Sequence, residues 1–198
     1  MPPTSLILDN IRSTLSQQPP EIRPTDRTKA SVALILRGDP AEDVFFIVRA
    51  KHDMDPWSGD IGFPGGKIEE GESPSTTTIR ETAEEVSIDL SKADRLGYLE
   101  PIRGAHLPVD VYCIAYALGH PQEPTLNHEV SRSFWHPVSK LIDENLHGDY
   151  PVQFGDNTLV RPGIKILPDD EPILWGITYR LLHQFFEALH IPFGVTDN

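Results

Sequence analysis

Short apolar runs separated by turn residues predict strands in the first half of the chain. Residues 31–36 (SVALIL) and 44–48 (VFFIV) are nearly continuous apolar runs rich in β-branched and aromatic side chains. Such runs are typical of strands buried on both faces, and the turn residues at 38–43 favour a hairpin between them. Further strands are predicted at residues 96–102 and 109–118, the second because its apolar and polar residues alternate.

Apolar residues at helical spacing occur near both ends of the chain. Within an N-terminal helix and linker, residues 1–29, the spacing of Leu6, Ile7, Ile11 and Leu15 predicts a short amphipathic helix. The main domain is then residues 30–198, and an apolar stripe in residues 173–189 predicts a long helix at its end. Strands that alternate with helices predict a layered α/β/α fold around a mixed sheet.

A third helix is predicted in the middle of the chain. Ser73 is a favourable N-cap residue, and Pro74 at the first helical position loses no hydrogen bond. At about 100° per residue, three glutamates share one side of this helix, opposite an apolar side. The acidic side carries Glu81, Glu84 and Glu85, and the apolar side carries Ile79, Ala83 and Val86.

The three glutamates predict a metal site. Clustered carboxylates repel one another, which raises their proton affinities unless a cation lies among them. Mg²⁺ or Mn²⁺, which prefer oxygen ligands, fit such a cluster. A solvated acidic face is the ordinary alternative. The glycine turn at Gly65 and Gly66, together with Arg80 beside the acids, favours the metal site.

Composition limits the classes of partner. A net charge of −13 over 198 residues argues against binding to nucleic acid, although bound cations and placed arginines can still create a site for a small phosphorylated substrate. No apolar run approaches a membrane span and the N-terminus lacks signal-peptide features, so we expect a cytoplasmic protein with no membrane partner. The single cysteine, Cys113, lies in an apolar run and is interpreted as a core residue. A homodimer through either terminal helix is compatible with the sequence.

The stretch from Gly66 to Ile88 resembles the Nudix box, G-x5-E-x7-R-E-U-x-E-E-x-G-U, in which U is a bulky apolar residue. Thr82 stands where an apolar residue is usual and Ser87 where glycine is usual, but neither change removes an acidic residue. The positions in register are Gly66, Glu72, Arg80, Glu81, Glu84, Glu85 and Ile88. The resemblance implies a Nudix-type α/β/α sandwich around a mixed β-sheet, and metal-dependent hydrolysis of a nucleoside diphosphate derivative.

The resemblance also implies functions for individual residues. Glu81 and Glu85 would be metal ligands, Glu84 a third ligand or a holder of metal-bound water, and the carbonyl of Gly65 a further ligand. Arg80 would be a catalytic group and, together with Glu72, would orient these carboxylates. The general base would be Glu84 or Glu129, which precedes the segment FWHPV.

The segment before the box resembles the upstream motif of the coenzyme A pyrophosphatase group. Residues 45–50 and Gly59 match it, as do residues 63–66, whereas Met54 and Asp55 stand where a second arginine is expected. Coenzyme A or an acyl-CoA is therefore the first substrate hypothesis. ADP-ribose or another nucleoside diphosphate derivative is the second, and a catalytically silent nucleotide-sensing module is a third. The predicted substrate-binding residues are Arg49, Trp57, Phe63 and Arg103, with Trp57 either stacking on a base or packing beneath a loop.

Overall fold

The computed structural model describes residues 5–22, 24–52, 57–105, 107–154, 157–169 and 171–194. The helices in this part of the chain are α1 (Leu8–Thr14), α2 (Pro74–Val86), α3 (Val138–Leu141) and α4 (Gly176–Ala188). The strands are β1 (Thr28–Gly38), β2 (Ala41–Arg49), β3 (Ile61–Gly62), β4 (Gly65–Lys67), β5 (Asp94–Tyr98), β6 (Ile102–Arg103), β7 (Val109–Leu118), β8 (Val130–Pro137), β9 (His147–Phe154), β10 (Asn157–Ile164) and β11 (Leu174–Trp175).

Strand β1 lies at the centre of a mixed eight-stranded sheet. It runs antiparallel to β2, which confirms the predicted hairpin, and parallel to β7. The central order is β3-β2-β1-β7-β5, with β4 paired to β1, β6 to β7 and β8 to β2. Through β4, Gly65 pairs with Val32 and Gly66 with Ser31, so the glycine turn is fixed to the central strand. Strands β9, β10 and β11 form a separate small sheet.

Successive residues of β1 face two different hydrophobic cores. Leu34 and Leu36 pack in the core that contains α1, α3 and α4, whereas Ala33 and Ile35 pack in the core beneath α2. Strands β2 and β7 divide their residues in the same way, as the period of two requires. The predicted α/β/α layering is confirmed. Cys113 is buried in β7, where burial raises the pKa of its thiol to about 12, so it is a core residue as predicted.

The terminal helices differ in detail from the prediction. Leu6, Ile11 and Leu15 are buried with the main core, but Ile7 is 58% exposed and does not belong to the apolar stripe. The last helix begins at Gly176, because the two preceding residues pair with β10 as β11. The boundary at residue 29 stays a prediction. No helix in the described ranges is long and apolar enough to cross a membrane.

Helix α2 begins as predicted, with the Ser73 side chain accepting a hydrogen bond from the Thr76 N–H at 3.1 Å. The predicted division into an apolar and an acidic face is wrong, because Glu85 is buried and Ala83 is exposed. The face against the sheet consists of Pro74, Thr77, Thr78, Thr82, Glu85 and Val86. Spacings of three and four residues place Glu85 on the same face as the threonines. The prediction from helical periodicity considered only apolar and charged residues. It did not include threonine among the residues that could be buried.

Hydrogen bonds make part of this polar face compatible with burial. The hydroxyls of Ser31 on β1 and Thr78 lie 2.6 Å apart, and Thr78 Oγ1 also donates to the carbonyl of Pro74 at 2.7 Å. The hydroxyl of Thr82, by contrast, is buried with no hydrogen-bond partner among the described residues. The helix ends at Ser87, which adopts the left-handed conformation (φ 58°) that glycine favours.

Candidate active site

The glycine turn before α2 brings two carboxylates against main chain. Gly65 has φ +147°, and a Cβ there would lie 2.2 Å from the carbonyl oxygen of Ser31 on β1. The Gly65 N–H donates to Glu85 Oε2 at 2.8 Å. A Cβ on Gly66 would lie 2.5 Å from the carboxylate carbon of Glu81. Glycine at both positions is therefore required for this close approach.

Arg80 connects the remaining acids of the box. Its Nε and Nη2 donate to the two oxygens of Glu72 at 2.8 and 2.9 Å, a bidentate pair that holds the pKa of Glu72 down to about 2. Its Nη1 donates to Glu81 Oε1 at 2.9 Å and to Glu84 Oε2 at 3.2 Å. One guanidinium thus orients three carboxylates, and the Lys67 carbonyl accepts from it as well.

Burial raises the proton affinity of two of the box glutamates. It raises the pKa of Glu81, and it raises the pKa of Glu85 to about 8. Arg80 opposes the rise in pKa at Glu81. At Glu85 the rise is opposed by the Gly65 N–H and by Arg49, whose Nη1 lies 3.9 Å from Glu85 Oε1. The negative charge of Glu129 adds to the rise at both sites. The carboxylates therefore form one electrostatically coupled group.

Glu129 is positioned by two hydrogen bonds of its own main chain. Its carbonyl accepts from the Ala50 N–H at 2.8 Å, after the end of β2, and its N–H donates to Asn127 Oδ1 at 2.8 Å. The Asn127 N–H in turn donates to the carbonyl of Glu85 at 2.9 Å. The structure thus brings the exposed Glu129 side chain near the box glutamates, although it lies far from them in sequence.

A cleft of about 390 Å³ begins at the glycine turn. One wall contains Arg49, Trp57 and Phe63, which are three of the predicted substrate-binding residues. Phe63 is buried and stacks on Phe46, whereas Trp57 is partly buried against the core and also lines the cleft, so both of its predicted functions stay open. Met54 and Asp55 lie outside the described residues.

Sequence patterns did not indicate a second part of the cleft lining, which comes from late in the chain. It is formed by residues 161–162 and 175–181, and the Trp175 indole N–H donates to Asp60 Oδ1 at 3.2 Å across the two parts. Trp175 precedes α4, and Arg180 lies off the apolar stripe of that helix. These two residues were the available sequence signal, because neither fits the apolar stripe predicted for residues 173–189. Arg103 is not among the described residues that line this cleft; its side chain is 71% exposed, with Nε 3.9 Å from Asp110.

The donor set fits a hard divalent cation in its chemistry. All of the candidate ligands are oxygen atoms, and two of the carboxylates have pKa values raised by burial and mutual repulsion, which a cation would offset. Within the described residues, no three His, Cys, Asp or Glu side chains are arranged as a complete metal site. Arg80 engages Glu81 and Glu84, and the Gly65 N–H engages Glu85.

The turn, the helix and the following strands correspond to a known domain. Residues 27–153, more than half of the chain, match the family model described as the NUDIX domain. The chain belongs to the Nudix family. Membership supports the predicted enzyme class, a Nudix pyrophosphohydrolase that acts on nucleoside diphosphate derivatives. The part of the cleft lining formed by residues 161–162 and 175–181 lies beyond the matched part of this Nudix protein.

Relatives and solved structures agree with the Nudix assignment. An uncharacterized Nudix hydrolase, NudL, from Pectobacterium atrosepticum is 25% identical over 190 residues, which cover 93% of this chain and 95% of the relative. Nudix hydrolase 22, chloroplastic, from Arabidopsis thaliana is 28% identical over 84% of this chain, which spans only 56% of that relative. The NUDIX domain of Shewanella oneidensis NrtR, solved with ADP ribose, has a TM-score of 0.55 at 20% identity, covering 84% of this chain and 90% of that one, and shows the shared fold.

Proposed function

We propose that this protein hydrolyses the pyrophosphate bond of coenzyme A or an acyl-CoA, giving 3′,5′-ADP and (acyl-)phosphopantetheine, with Mg²⁺ or Mn²⁺ as cofactor. The observation that carries the proposal is the position of the Glu81 and Glu85 carboxylates, directly against the glycine turn that opens into the cleft. A volume of about 390 Å³ is within the usual range of small-molecule sites.

Some residues of the box would bind the cation, and others would orient the carboxylates that bind it. Glu81, Glu85 and the Gly65 carbonyl would hold the cation, with Glu84 as a third ligand or as the holder of a bound water. When bound, the cation polarises phosphoryl oxygens and lowers the pKa of bound water by several units. Arg80 fixes the carboxylates of Glu81 and Glu84 in place, because it donates to both.

The general base is Glu84 or Glu129. Both side chains are exposed, and both act electrostatically on Glu81. Turnover and metal affinity of Glu84→Gln and Glu129→Gln separate the two. The variant that loses turnover while keeping metal affinity identifies the base, and near-normal turnover in both variants rejects the assignment.

The cleft lining supports an anionic substrate that carries apolar parts. Although the chain has a net charge of −13, four cationic side chains line the cleft beside one acidic residue, Asp60, among the described residues. The cations are Arg49, Lys67, Arg161 and Arg180. Such a local reversal of sign attracts phosphates. The aromatic residues Trp57, Phe63, Trp175 and Tyr179 provide surface for a base or for an acyl or pantetheine group.

There are two alternatives to this proposal, one with a different substrate and one with a different function. ADP-ribose is the ligand with which the NrtR domain was solved, and another nucleoside diphosphate derivative would use the same carboxylates. A silent nucleotide-sensing module is the alternative of another class. The retained glutamates count against it, because an unneeded carboxylate cluster destabilises the fold.

A substrate panel with products identified by mass spectrometry tests the proposal. We expect coenzyme A and acyl-CoA to be cleaved only with Mg²⁺ or Mn²⁺, and Glu85→Gln to lower turnover by about 100-fold or more. Glu123→Gln, an exposed glutamate beyond the box, is the matched control. Fast cleavage of ADP-ribose without cleavage of coenzyme A would overturn the substrate. Nucleotide binding without hydrolysis under any metal would favour the sensing module.

A further inference from the structure

One guanidinium at the start of the central strand holds a loop through four acceptors. Arg27, immediately before β1, donates from Nε to Asp110 Oδ1 at 2.7 Å. Its Nη2 lies within hydrogen-bond distance of three main-chain carbonyls, those of Gly104 (3.1 Å), Leu107 (3.3 Å) and Val109 (2.8 Å). All of these acceptors belong to the connection between β6 and β7 or to the first residues of β7.

This connection is part of the substrate cleft. Gly104, Ala105 and Leu107 line the cleft, as does Val109 at the start of β7. The loop folds back on itself, because the Gly104 N–H donates to the Val109 carbonyl and the Val109 N–H donates to the Leu107 carbonyl, both at 2.8 Å. The carbonyls of Gly104, Leu107 and Val109 accept hydrogen bonds from Arg27, and the same three residues line the cleft.

The contacts of Arg27 depend on the shape of a guanidinium. Asp110 is only 9% exposed, and its other cation, Arg103, is 3.9 Å away. A planar group with several fixed N–H donors can reach a carboxylate and several carbonyls at once, whereas the single ammonium of lysine cannot span them. Loss of Arg27 would leave a nearly buried carboxylate and three carbonyls with weaker partners.

We propose that Arg27 is a positioning residue that fixes residues 104, 105 and 107–109 as part of the lining of the substrate cleft, and so controls substrate binding without taking part in hydrolysis. This proposal rests on the proposed hydrolase function only in its kinetic test, which needs a substrate that the protein cleaves. The carboxylates act at the glycine turn, which pairs with Ser31 and Val32 farther along β1. A shift of the loop therefore changes the fit of the substrate and leaves Glu81 and Glu85 in place.

The chain supplies a matched control at the other end of the same strand. Arg37, near the end of β1, pairs with Asp43 on β2, with Nε and Nη2 at 2.8 and 2.7 Å from Oδ2. It is an arginine–aspartate pair of the same kind, located at the hairpin instead of the loop. Arg37→Lys should therefore leave both binding and turnover unchanged.

Steady-state kinetics of Arg27→Lys and Arg37→Lys test the proposal. For the best substrate of the panel, we expect Arg27→Lys to raise KM about 10-fold, with kcat within about twofold of the unsubstituted protein. A KM within twofold of the unsubstituted protein, or a loss confined to kcat, overturns the proposal. If Arg27→Lys does not fold, Gly104→Ala perturbs the same loop, because its Cβ would lie 2.7 Å from the Leu107 carbonyl, and the same rise in KM is expected.

A binding measurement separates failure of this inference from failure of the proposed function. The fluorescence of Trp57 and Trp175, which line the cleft, is followed during titration with 3′,5′-ADP and with ADP. If no substrate is hydrolysed but a nucleotide binds, about 10-fold weaker binding to Arg27→Lys still supports the loop-holding function. Equal nucleotide affinity of the unsubstituted protein and Arg27→Lys overturns it, whether or not hydrolysis occurs.

Discussion

Helices α2 and α4 have the same length and pack on opposite faces of one sheet, but they bury different chemistry. Each has 13 residues. Helix α4 buries Tyr179, Leu181, Leu182, Phe185 and Phe186, whereas four of the six residues that α2 buries are polar, three threonines and a glutamate. Burying a leucine or phenylalanine stabilises a fold by about 1.5–3 kcal/mol, but a buried polar group costs free energy unless it is hydrogen-bonded. One helix contributes mainly stability, and the other holds the carboxylates at some cost in stability.

The largest expected effect is on α4. Phe185→Ala removes a fully buried ring and should lower the free energy of unfolding by about 3–5 kcal/mol, measured by urea denaturation. The corresponding truncation on α2, Thr78→Ala, should cost about 1–3 kcal/mol, since it leaves the buried Ser31 hydroxyl without this partner. Equal losses from the two variants would contradict the division between the helices.

A second test concerns pH and the attachment of α4. His147 lies between the Leu141 carbonyl, which accepts from Nε2 at 2.8 Å, and the Tyr179 hydroxyl, 3.1 Å from Nδ1. Burial lowers the pKa of His147, so the neutral form is favoured in the folded state and its contribution to stability is lost as pH falls below about 6.5. His147→Phe should cost about 1–3 kcal/mol at pH 8, because both partners lose their hydrogen bond.

The difference in free energy of unfolding between the unsubstituted protein and His147→Phe should narrow as the pH is lowered from 8 to 5. Thermal unfolding over this range measures it. Other titrating groups, His136 among them, are common to both proteins and cancel in the difference. A difference that stays constant or widens toward acid pH would reject the assignment of this contact to neutral His147.

On α2, removal of the unpaired hydroxyl should stabilise the protein. Thr82→Val keeps the shape of the side chain and replaces a buried hydroxyl that has no partner in the described part of the chain, so the free energy of unfolding should rise by about 1 kcal/mol. Turnover should not change, because the hydroxyl faces the sheet. Thr78→Val is the control, since it breaks an existing hydrogen-bond pair and should not stabilise. A destabilised Thr82→Val would show that the hydroxyl has a partner in solution.

The smallest effect is expected at the end of α2. Ser87 has φ 58°, and Ser87→Gly should raise the free energy of unfolding by about 0.5–1 kcal/mol by relieving this left-handed conformation. Ser91→Gly, in the following turn, should destabilise instead, because the Ser91 side chain donates to Asp89. Comparing the two variants by chemical denaturation distinguishes relief of strain from a general effect of glycine.

Local sequence determined much of this structure, and tertiary contacts determined the rest. The Ser73 cap and the β1–β2 hairpin depend on neighbouring residues, and both were predicted. The glycine turn was also predicted, although the close approach of Gly65 to the Ser31 carbonyl is a tertiary contact. The buried face of α2 depends on Ser31, a distant residue that pairs with Thr78, so helical periodicity alone gave the wrong face. The wall with Trp175 was missed for the same reason, since its contact with Asp60 joins segments more than 100 residues apart.

The parallel pairing of β1 with β7 has a consequence for the order of folding. Thr28 pairs with Val109 and Arg37 with Leu118, so this ladder closes a loop of roughly eighty residues that contains the whole box. The β1–β2 hairpin and α2 are local and can form early, but long-range parallel pairing is slow. We therefore expect the β1–β7 ladder to form late, so that protection of its amides from hydrogen exchange develops after the hairpin is already protected.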